Sequence, residues 1–433
     1  MREGLRGLTT RGKSFLACAV TVGLAALAFG EKDLLRVAVL IALLPLLAAW
    51  YVGRTRYKLA CTRSLEPRRT QVGATARVVL RLQNLSALPT GTLLLEDRLP
   101  YALGSRPRLV LERLGRRQAS SVAYSVRADV RGRYEIGPLV IRLTDPFGLC
   151  ELARAFPSVD KLTVTPTVVP LPAVRLTGEY AGTGDSRARS VAVHGEDDAA
   201  TREYRHGDDL RRVHWRSTAR VGELMVRREE QPWESRATLV LDIRKNAHRG
   251  EGPTASFEWA VSAVASIAVH LREQGYRLRL ITDLVDITAT ESEGDAAILD
   301  HLAEVKLTAR ADFGRVSEQL RRRSDSGLTI AVLGSLSPAD AEVVARWRGA
   351  SGTAVGFLID STTWLTLPPG DRAEADKARA AAGLRLLRAN WRTLGVAHGD
   401  RLPSLWPQAG RGVPGMAWRA AMAETVGTVG GTG

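Results

Sequence analysis

The residues best suited to chemistry lie close together between Glu203 and Ser217, where acids, histidines and a serine alternate with arginines. His214 stands three residues before Ser217, and Asp209 precedes both, so the residue types of a nucleophilic triad are present. Such a triad needs a hydroxyl held within hydrogen-bond reach of its base. Residues three apart on a helix do not by themselves aim a hydroxyl at a base. We therefore expect no catalytic site, and keep an enzyme of unassigned reaction using the acids and histidines of 203–214 as the alternative.

Other signatures of catalysis and metal binding are missing from the sequence itself. His194, His206 and His214 follow no zinc spacing, and the three cysteines lie far apart. Neither a glycine-flanked nucleophile elbow nor a Walker-type phosphate loop occurs. We expect the chain not to be an enzyme and to carry no cofactor, so that any ATP hydrolysis would come from a partner protein.

The composition is that of a multidomain, basic protein. Its 433 residues are 45% hydrophobic, which is enough for two or three separate cores, and its formal net charge is +15. A basic face can bind nucleic acid, but here the arginines are spread through the whole chain with acids between them. We therefore expect no nucleic-acid partner.

Two apolar segments, residues 14–30 and 34–52, follow a basic N-terminal stretch, residues 1–13. Each has about the length that a helix needs to cross the hydrocarbon core of a bilayer. Three residues separate them, so they predict a transmembrane hairpin over residues 14–52. A cleaved signal peptide is the alternative for the first segment, but the second apolar segment argues against it. Basic residues flank both open ends, so we expect a two-pass protein of the inner (cytoplasmic) membrane with both termini in the cytoplasm.

Residues 65–165 carry short runs of alternating apolar and polar residues, separated by Gly, Pro and Asn. Alternation with a period of two predicts antiparallel strands packed as a β-sandwich. A length of about a hundred residues suits an immunoglobulin-like module.

A turn motif of Asp145, Pro146, Phe147 and Gly148, followed by Leu149, comes near the end of this module. Proline fixes φ at the first corner, aspartate can bond the backbone beyond it, and glycine accepts a positive φ. We interpret the motif as structural and expect Phe147 to fill the bottom of the sandwich.

A connector is expected over residues 166–236. It contains an arginine-rich segment, residues 201–230, with a single tryptophan. The signature residues of this segment are Tyr204, Arg205, Gly207, Asp208, Trp215 and Arg220. Asp208 or Asp209 is positioned to cap a short helix. We expect the arginines to pair with nearby acids and Trp215 to bury against the following domain. The segment is then either a structural joint between domains or a partner-docking surface, because Trp, Tyr and Arg dominate binding hot spots.

Residues 237–365 alternate between predicted strands and helices, which indicates right-handed crossovers and a parallel sheet covered on both faces. The strands are expected at 238–243, 276–282, 328–333 and 353–359, and the helices at 257–274, 295–305, 313–323 and 339–347. Over residues 366–433 we expect one helix from Arg372 to Trp391, then a flexible tail from Pro403 onward.

Several of these segments resemble the domain of unknown function 58 family of bacterial proteins. The resemblance rests on residues 202–209, 213–216 and 218–220 and on the 145–149 motif, and extends over nearly the whole chain. It implies a membrane hairpin, a β-rich middle and a C-terminal von Willebrand factor A-like α/β domain with a mainly parallel sheet. Family members are typically encoded near MoxR-type AAA+ ATPases and transglutaminase-like membrane proteins, which implies these two as partners.

The resemblance also raises the question of a metal site. A von Willebrand-type domain often binds Mg²⁺ through an Asp-x-Ser-x-Ser loop after its first strand. Here the loop begins at Asp242, with Arg244 at the first serine position and Asn246 at the second. A fixed cation beside a dication is strongly repulsive. Asp242 and Asp283 are the candidate ligands, but we expect no metal, and expect Asp242 to bond the loop backbone or Arg244. Metal-dependent ligand binding stays a further alternative.

The function we expect is that of a membrane-anchored, cytoplasm-facing scaffold or adaptor. It would engage partner proteins, with a MoxR-type AAA+ ATPase foremost, in the assembly or maturation of protein complexes.

Overall fold

The computed structural model describes residues 7–54, 59–87, 89–90, 92–145, 147–174, 176, 201–204, 213, 215–227, 236–289, 296–322, 327–348 and 352–411. The predicted signature residues Arg205, Gly207 and Asp208, the turn residue Pro146, and the histidines at 194, 206 and 214 lie outside the described residues.

The chain begins with a hairpin of two apolar helices, α1 (Thr10–Phe29) and α2 (Lys32–Arg54). The Thr9 side chain caps α1 by accepting a hydrogen bond from the Gly12 N–H, and Gly30 ends it with a φ of 72°. Both helices are long and apolar enough to cross a membrane. The two helices of the predicted hairpin are therefore present, each starting a few residues earlier than the apolar run.

The β module consists, among the described residues, of ten strands in three sheets of order β1-β3-β6, β5-β4-β8-β9 and β2-β10-β7. Neighbouring strands pair antiparallel except β2 and β10, which are parallel. The strands are β1 (Leu59–Glu66), β2 (Arg69–Gln71), β3 (Thr75–Asn84), β4 (Leu93–Asp97), β5 (Arg108–Leu111), β6 (Ala119–Arg127), β7 (Gly132–Ile136), β8 (Leu139–Thr144), β9 (Glu151–Phe156) and β10 (Asp160–Thr165).

Strand β3 shows how the alternating pattern builds the sandwich core. Its buried residues recur at every second position, so that one side of the strand faces inward along its whole length. Leu80 and Leu82 pack against the β5-β4-β8-β9 sheet. Ala76 and Val78 pack against the β2-β10-β7 sheet. One three-stranded sheet therefore covers two shorter sheets placed end to end.

A buried ion-pair network ties these three sheets together at Arg63. The Arg63 guanidinium donates to Asp97 Oδ1 at 2.8 Å and to Asp160 Oδ2 at 3.1 Å, and its side chain is almost wholly buried. It also donates to the backbone oxygen of Ile136 at 3.0 Å. The Tyr124 hydroxyl donates to Asp97 Oδ2 at 2.7 Å, and burial together with the Asp97 carboxylate raises the pKa of Tyr124. Five strands therefore depend on one guanidinium.

A small separate unit lies in the connector. Strands β11 (Thr201–Glu203) and β12 (Met225–Arg227) pair antiparallel, and the short helix α3 (Trp215–Val221) precedes β12. The Thr218 hydroxyl accepts a hydrogen bond from the Met225 N–H at 3.0 Å, which holds the helix against the strand. We call residues 201–204, 213 and 215–227 the Trp215 unit.

The C-terminal domain is built on a six-stranded sheet of order β15-β14-β13-β16-β17-β18, in which β15 alone runs antiparallel to its neighbour. Helices α4, α5 and α9 cover one face and α6, α7 and α8 the other. The strands are β13 (Arg236–Leu241), β14 (Arg277–Ile281), β15 (Asp286–Thr288), β16 (Leu328–Leu333), β17 (Ala354–Ile359) and β18 (Trp391–Val396). The helices are α4 (Ser256–Glu273), α5 (Ala296–Glu304), α6 (Gly314–Arg322), α7 (Pro338–Ala345), α8 (Pro369–Arg388) and α9 (Leu402–Arg411).

The secondary structure predicted for residues 366–433 is wrong at two places. The helix predicted to run to Trp391 ends at Arg388, and Trp391 begins the edge strand β18, where its ring is buried. The tail predicted as flexible from Pro403 forms α9 as far as Arg411. Trp406 is fully buried on that helix and stacks on Phe357 at 6.4 Å between ring centroids. The burial of Trp391 and Trp406 against the sheet thus outweighs the local sequence pattern, which favoured a longer helix and a flexible tail.

Arginines of the β module form the joint with the C-terminal domain. Arg131 donates to the backbone oxygens of Leu302 and Val305 at 2.9 and 2.6 Å, and it pairs with Glu258. Arg69 pairs in bidentate fashion with Asp300 at 2.9 and 2.7 Å. These contacts join the β module to the C-terminal half of α5 and to Glu258 of α4. The described residues of the arginine-rich segment, 201–230, take no part in these particular contacts.

We expect Asp97→Ala to lower the free energy of unfolding of the β module by about 3–5 kcal/mol, because it leaves the Arg63 guanidinium buried without its main partner. Asp129→Ala is the matched control, since Asp129 pairs with Arg127 on the exposed surface and its loss is expected to cost less than about 1 kcal/mol. Denaturant unfolding of the full chain in detergent measures both. Equal effects of the two substitutions would contradict the role given to the network.

Candidate functional site

The carboxyl edge of the parallel strands gathers the polar loops of the C-terminal domain. Asp242 follows β13, Ser335 lies just beyond β16, and Asp360 follows β17. The strand order reverses between β13 and β16, and open α/β sheets bind their ligands at such a switch point. This edge is therefore the candidate ligand-binding site of the C-terminal domain.

Arg244 fills the centre of that edge, with 2% of its side chain exposed. Its Nε donates to Asp242 Oδ1 at 3.0 Å and its Nη2 to Asp242 Oδ2 at 2.9 Å. Its Nη1 lies 3.1 Å from Asp340 Oδ2 on α7. Burial opposes the charge of Arg244, but the bonds and proximity of Asp242 and Asp340 outweigh it, so the pKa of Arg244 is raised.

The remaining contacts of Arg244 come from loops on both sides. Nη1 donates to the backbone oxygen of Ala311 at 3.3 Å and Nη2 to that of Ser335 at 3.2 Å. The guanidinium carbon lies 3.8 Å from the centroid of the Phe313 ring, within cation–π range. Arg244 is thus bonded in its plane and covered on one face, which makes it an internal cation and not an open binding group.

This arrangement decides the roles of Asp242. Besides its two bonds with the guanidinium, Asp242 Oδ1 accepts the Arg244 backbone N–H at 3.0 Å and Oδ2 accepts that of Gly334 at 3.1 Å. Both oxygens are therefore engaged by N–H donors. The geometry agrees with the expectation that Asp242 pairs with Arg244 and bonds the loop backbone. A cation at the same carboxylate would have to displace the guanidinium.

Asp283, the second candidate ligand, lies beyond the end of β14 and is buried. Neither of its carboxylate oxygens has a hydrogen-bond partner within the part of the chain that the structure describes. Arg310 Nε approaches Oδ2 to 3.6 Å. Over the same residues, no group of three His, Cys, Asp or Glu side chains is arranged to hold a metal.

A cavity of about 380 Å³ lies beside Arg244 at this edge. Its walls carry Arg249 and Arg379, and its floor is apolar, with Leu358 and Ala382. Arg379 is already paired with Asp360, which also accepts from the Thr362 hydroxyl at 2.6 Å. The cavity can accept a small polar group. Arg244 and Arg379 are paired with carboxylates there, whereas the Arg249 guanidinium bonds backbone oxygens.

A histidine and a serine do approach each other here. His248 Nδ1 lies 3.3 Å from Ser256 Oγ, and His248 Nε2 lies 2.9 Å from the backbone oxygen of Asp242. Ser256 is completely buried at the start of α4 and its hydroxyl also accepts the Arg249 N–H. A nucleophile needs access to its substrate, so we interpret this pair as support for the Asp242 loop.

The Trp215 unit differs from the expectation drawn from the sequence. Trp215 was expected to bury against the following domain, but 70% of its surface is exposed. Helix α3 has no buried residue, and Arg220 is exposed on its last turn. Tyr204 is half-buried, and its N–H bonds the backbone oxygen of Leu224 at 2.8 Å. The structure thus brings Tyr204, Trp215 and Arg220 into one small unit, with the tryptophan facing outward.

The turn near the end of the β module also differs in one respect. Asp145 accepts hydrogen bonds from the N–H groups of Phe147 at 3.0 Å and Cys150 at 2.5 Å, and Gly148 has a φ of 68°. These are the backbone roles predicted for aspartate and glycine. Phe147, however, does not fill the bottom of the sandwich, because 63% of its surface is exposed. Leu149 and Cys150 are the buried residues there.

Arg63 joins the sheets of the β module and Arg131 joins the module to the C-terminal domain. The sequence analysis predicted neither role. A signal for Arg63 was available, since Cys61, Arg63 and Leu65 alternate on the inward side of β1. An arginine at an inward position of a strand predicts a buried acidic partner. For Arg131 no comparable local signal exists, because its partners lie more than 100 residues away.

Comparison with known families gives one match. The family described as "Protein of unknown function DUF58" matches residues 200–347, which include the Trp215 unit and the sheet from β13 to β16. A search of curated proteins found no match.

Comparison with solved structures returns distant neighbours. The CARDB domain of the PF1109 protein from Pyrococcus furiosus is 10% identical, with a TM-score of 0.19, and the match covers 25% of this chain and 88% of that one. A putative ApaA protein from Bordetella pertussis is 10% identical, with a TM-score of 0.21, covering 26% and 97%. A human seminal plasma complex of zinc 2-glycoprotein and prolactin inducible protein is 11% identical, with a TM-score of 0.20, covering 26% and 98%.

We expect Arg244→Ala to lower the free energy of unfolding of the C-terminal domain by about 3–5 kcal/mol, because it leaves Asp242 buried and unpaired. Adding Asp242→Asn should recover part of that loss, since the uncompensated charge is removed. Arg249→Ala is the control, as Arg249 is exposed and bonds only backbone oxygens in the described residues.

The same unfolding measurements test the metal alternative. Mg²⁺ should leave the midpoint of the wild-type protein unchanged, because the Asp242 oxygens are engaged by Arg244 and Gly334. A Mg²⁺-dependent rise that Asp242→Ala removes would establish metal binding instead.

We expect the stability of the C-terminal domain to fall as the pH drops below about 6.5, the ordinary value for histidine. Burial lowers the pKa of His248, an effect that Arg244 and Arg249 reinforce and Asp242 opposes. The folded state therefore binds fewer protons than the unfolded state, so stability is complete above that pH and is lost below it.

Thermal unfolding between pH 8 and pH 5 should show a shallower loss for His248→Gln than for the wild type. The pKa values of His270 and His301 are also lowered by burial, so some slope should remain. An unchanged slope in the variant would show that His248 contributes nothing to it.

Proposed function

We propose, from the match of residues 200–347 to the family described as "Protein of unknown function DUF58", that the protein is a membrane-anchored scaffold that presents the Trp215 unit to a partner protein. The observation that carries the proposal is the 70% exposure of Trp215. Tryptophan is, with tyrosine and arginine, one of the residue types enriched at binding hot spots.

The surroundings of Trp215 support a docking role. Val221 and Leu224 of the same unit are exposed as well, so three large apolar side chains lie within ten residues. Arg216 and Arg220, also exposed, follow one another at a spacing of four on α3. An aromatic and aliphatic patch beside guanidinium groups suits a partner surface that offers an apolar groove rimmed by carboxylates.

The N-terminal hairpin supplies the anchor in this proposal. Two helices of sufficient length and apolar character lead the chain. Arg11 and Lys13 at the start of α1 are exposed, and a basic cluster also follows α2 in the sequence. By the positive-inside rule we place both open ends, and the body that follows them, in the cytoplasm.

Hydrogen bonds and ion pairs connect the anchor to the C-terminal domain. The start of α1 is bonded to the β module, and Arg131 and Arg69 bond that module to α5 of the C-terminal domain. These bonds hold the C-terminal domain at a defined height above the membrane, as a scaffold requires.

We assign the C-terminal domain to the von Willebrand factor A-like class and the β module to the immunoglobulin-like class. A central parallel sheet with one antiparallel edge strand and helices on both faces supports the first assignment. Two facing sets of mainly antiparallel strands support the second. In this view Arg244 replaces the metal at the carboxyl edge as an internal cation.

The partners we propose are a MoxR-type AAA+ ATPase and a transglutaminase-like membrane protein, on the basis of the family resemblance. An ATPase would supply the hydrolysis for which this sequence has no phosphate loop. The process would be the assembly or maturation of other protein complexes. We prefer this function to a metal-dependent one because Asp242 is engaged by Arg244.

Trp215→Ala should weaken binding of the purified MoxR-type ATPase of the same cell by a factor of about 30 or more, which corresponds to the roughly 2 kcal/mol typical of a hot-spot residue. Binding is measured with the full chain in detergent or nanodiscs. Tyr101→Ala is the matched control, since Tyr101 is 99% exposed but lies in the β module. Equal affinity of wild type and Trp215→Ala, with both folded, would reject the Trp215 unit as the docking surface.

A further inference from the structure

The turn near the end of the β module is bonded to the beginning of the first apolar helix. We call Asp145 together with Phe147, Gly148 and Leu149 the Phe147 turn. The Thr9 N–H donates to the Leu149 oxygen at 3.0 Å, and the Thr9 hydroxyl donates to the Gly148 oxygen at 2.7 Å. The residue that caps α1 is therefore held directly by this turn.

The neighbouring residues extend this contact into a short antiparallel pairing. The Glu151 N–H donates to the Gly7 oxygen at 2.7 Å, and Leu8 forms a bridge with Cys150. The N-terminal segment thus runs along the start of β9 before it enters α1.

The second helix of the hairpin reaches the same turn. Leu149 and Cys150 are buried in one cluster with Ala48 and Ala49 of α2, and Leu44 packs against that cluster. Ala48 and Ala49 lie inside the apolar span that runs from Lys32 to Trp50. The Phe147 turn therefore touches both helices at their open ends, at a depth where the apolar span has not yet ended.

The Phe147 side chain is directed outward by bonds within the turn. Asp145 is buried and accepts the N–H groups of Phe147 and Cys150, while the Gly148 N–H bonds the Asp145 oxygen at 3.0 Å. The positive φ of Gly148 lets the chain turn back at once toward the hairpin. A phenyl ring is thereby held on a short, well-bonded turn with 63% of its surface uncovered.

Groups typical of a membrane surface lie at the open ends of the two helices that the turn contacts. Trp50, 49% exposed, marks the end of the apolar span on α2, and aromatic side chains are enriched at that level of a bilayer. Arg11 and Lys13, exposed on the first turns of α1, provide positive charge for anionic headgroups. Placing a phenyl ring in this layer removes apolar surface from water.

We propose that the Phe147 turn is a membrane-contact element, in which Phe147 inserts into the interfacial layer of the phospholipid leaflet. The inference rests on the membrane anchoring given under the proposed function. The Phe147 turn would be a third point of membrane attachment, in addition to the two helices. Because the turn is bonded to α1 and packed on α2, its contact with the leaflet limits the tilt of the hairpin and the β module relative to the membrane.

The test is a depth measurement on the full chain in vesicles of phosphatidylethanolamine and phosphatidylglycerol. Phe147→Cys is made with Cys18→Ser, Cys61→Ser and Cys150→Ala, and is labelled with a polarity-sensitive fluorophore. Tyr101→Cys in the same background is the control. Tyr101 follows β4 at the end remote from the turn, since Asp97 pairs with Leu139 at the beginning of β8.

A label at position 147 should emit at shorter wavelength than one at 101, and should be quenched by lipids carrying a nitroxide high on the acyl chain. A label at 147 that is as water-exposed and as weakly quenched as that at 101 overturns the proposal. A label that is shielded from water but not quenched by lipid also overturns it, in favour of a protein or a second copy covering the turn.

A third label, at Leu24→Cys on the exposed face of α1, distinguishes failure of the membrane-contact element from failure of the membrane anchor. Strong quenching at 24 by a nitroxide deep in the acyl chain, with none at 147, rejects only the membrane-contact element. Loss of quenching at both positions rejects the membrane anchor itself and the proposal with it.

Discussion

A buried guanidinium whose donors are all directed at fixed oxygens is the constraint on which this structure depends. At the carboxyl edge of the C-terminal sheet, Arg244 bonds Asp242 from its own loop, Asp340 from α7, and backbone oxygens from two further loops. Desolvating such a cation is costly, and only complete pairing offsets that cost. The hydrogen bonds of Arg244 therefore fix the positions of these loops, in addition to the bonds within each loop's own turn.

The same requirement recurs at the other critical places in the chain. Arg63 holds strands of all three sheets in the β module, and Arg131 bonds the helix α5 across the boundary between the module and the C-terminal domain. Arginine suits this use because its planar fork reaches several acceptors at once and stays charged when buried. Several of the many arginines thus have a structural role, within single domains and at their joint.

These contacts form a continuous path through the molecule. The cap of α1 is bonded by the Phe147 turn, the sandwich is joined by Arg63, and Arg131 leads to α5. The connector then packs along α4 and α9, where the Val169 N–H bonds the Ser266 hydroxyl of α4 and the indole N–H of Trp406 on α9 bonds the Pro172 oxygen. The Trp215 unit differs from this body, because its tryptophan and two aliphatic side chains remain uncovered. That contrast between a well-bonded body and an uncovered apolar patch is the basis of the scaffold proposal.

Periodicity in the sequence was sufficient to locate the helical hairpin, the alternating strands of the sandwich, and strands β13, β14, β16 and β17 with the helices between them, because each depends on a local repeat of apolar residues. It also placed Asp242 beside Arg244, since two residues in one loop must be neighbours. It did not locate the short edge strand β15. It could not show that Trp391 begins an edge strand, that Trp406 lies in a buried helix, or that Phe147 and Trp215 face outward. Those outcomes depend on which distant element covers a side chain. A sequence window records that a residue is apolar, but only the folded chain decides whether a neighbour removes it from water.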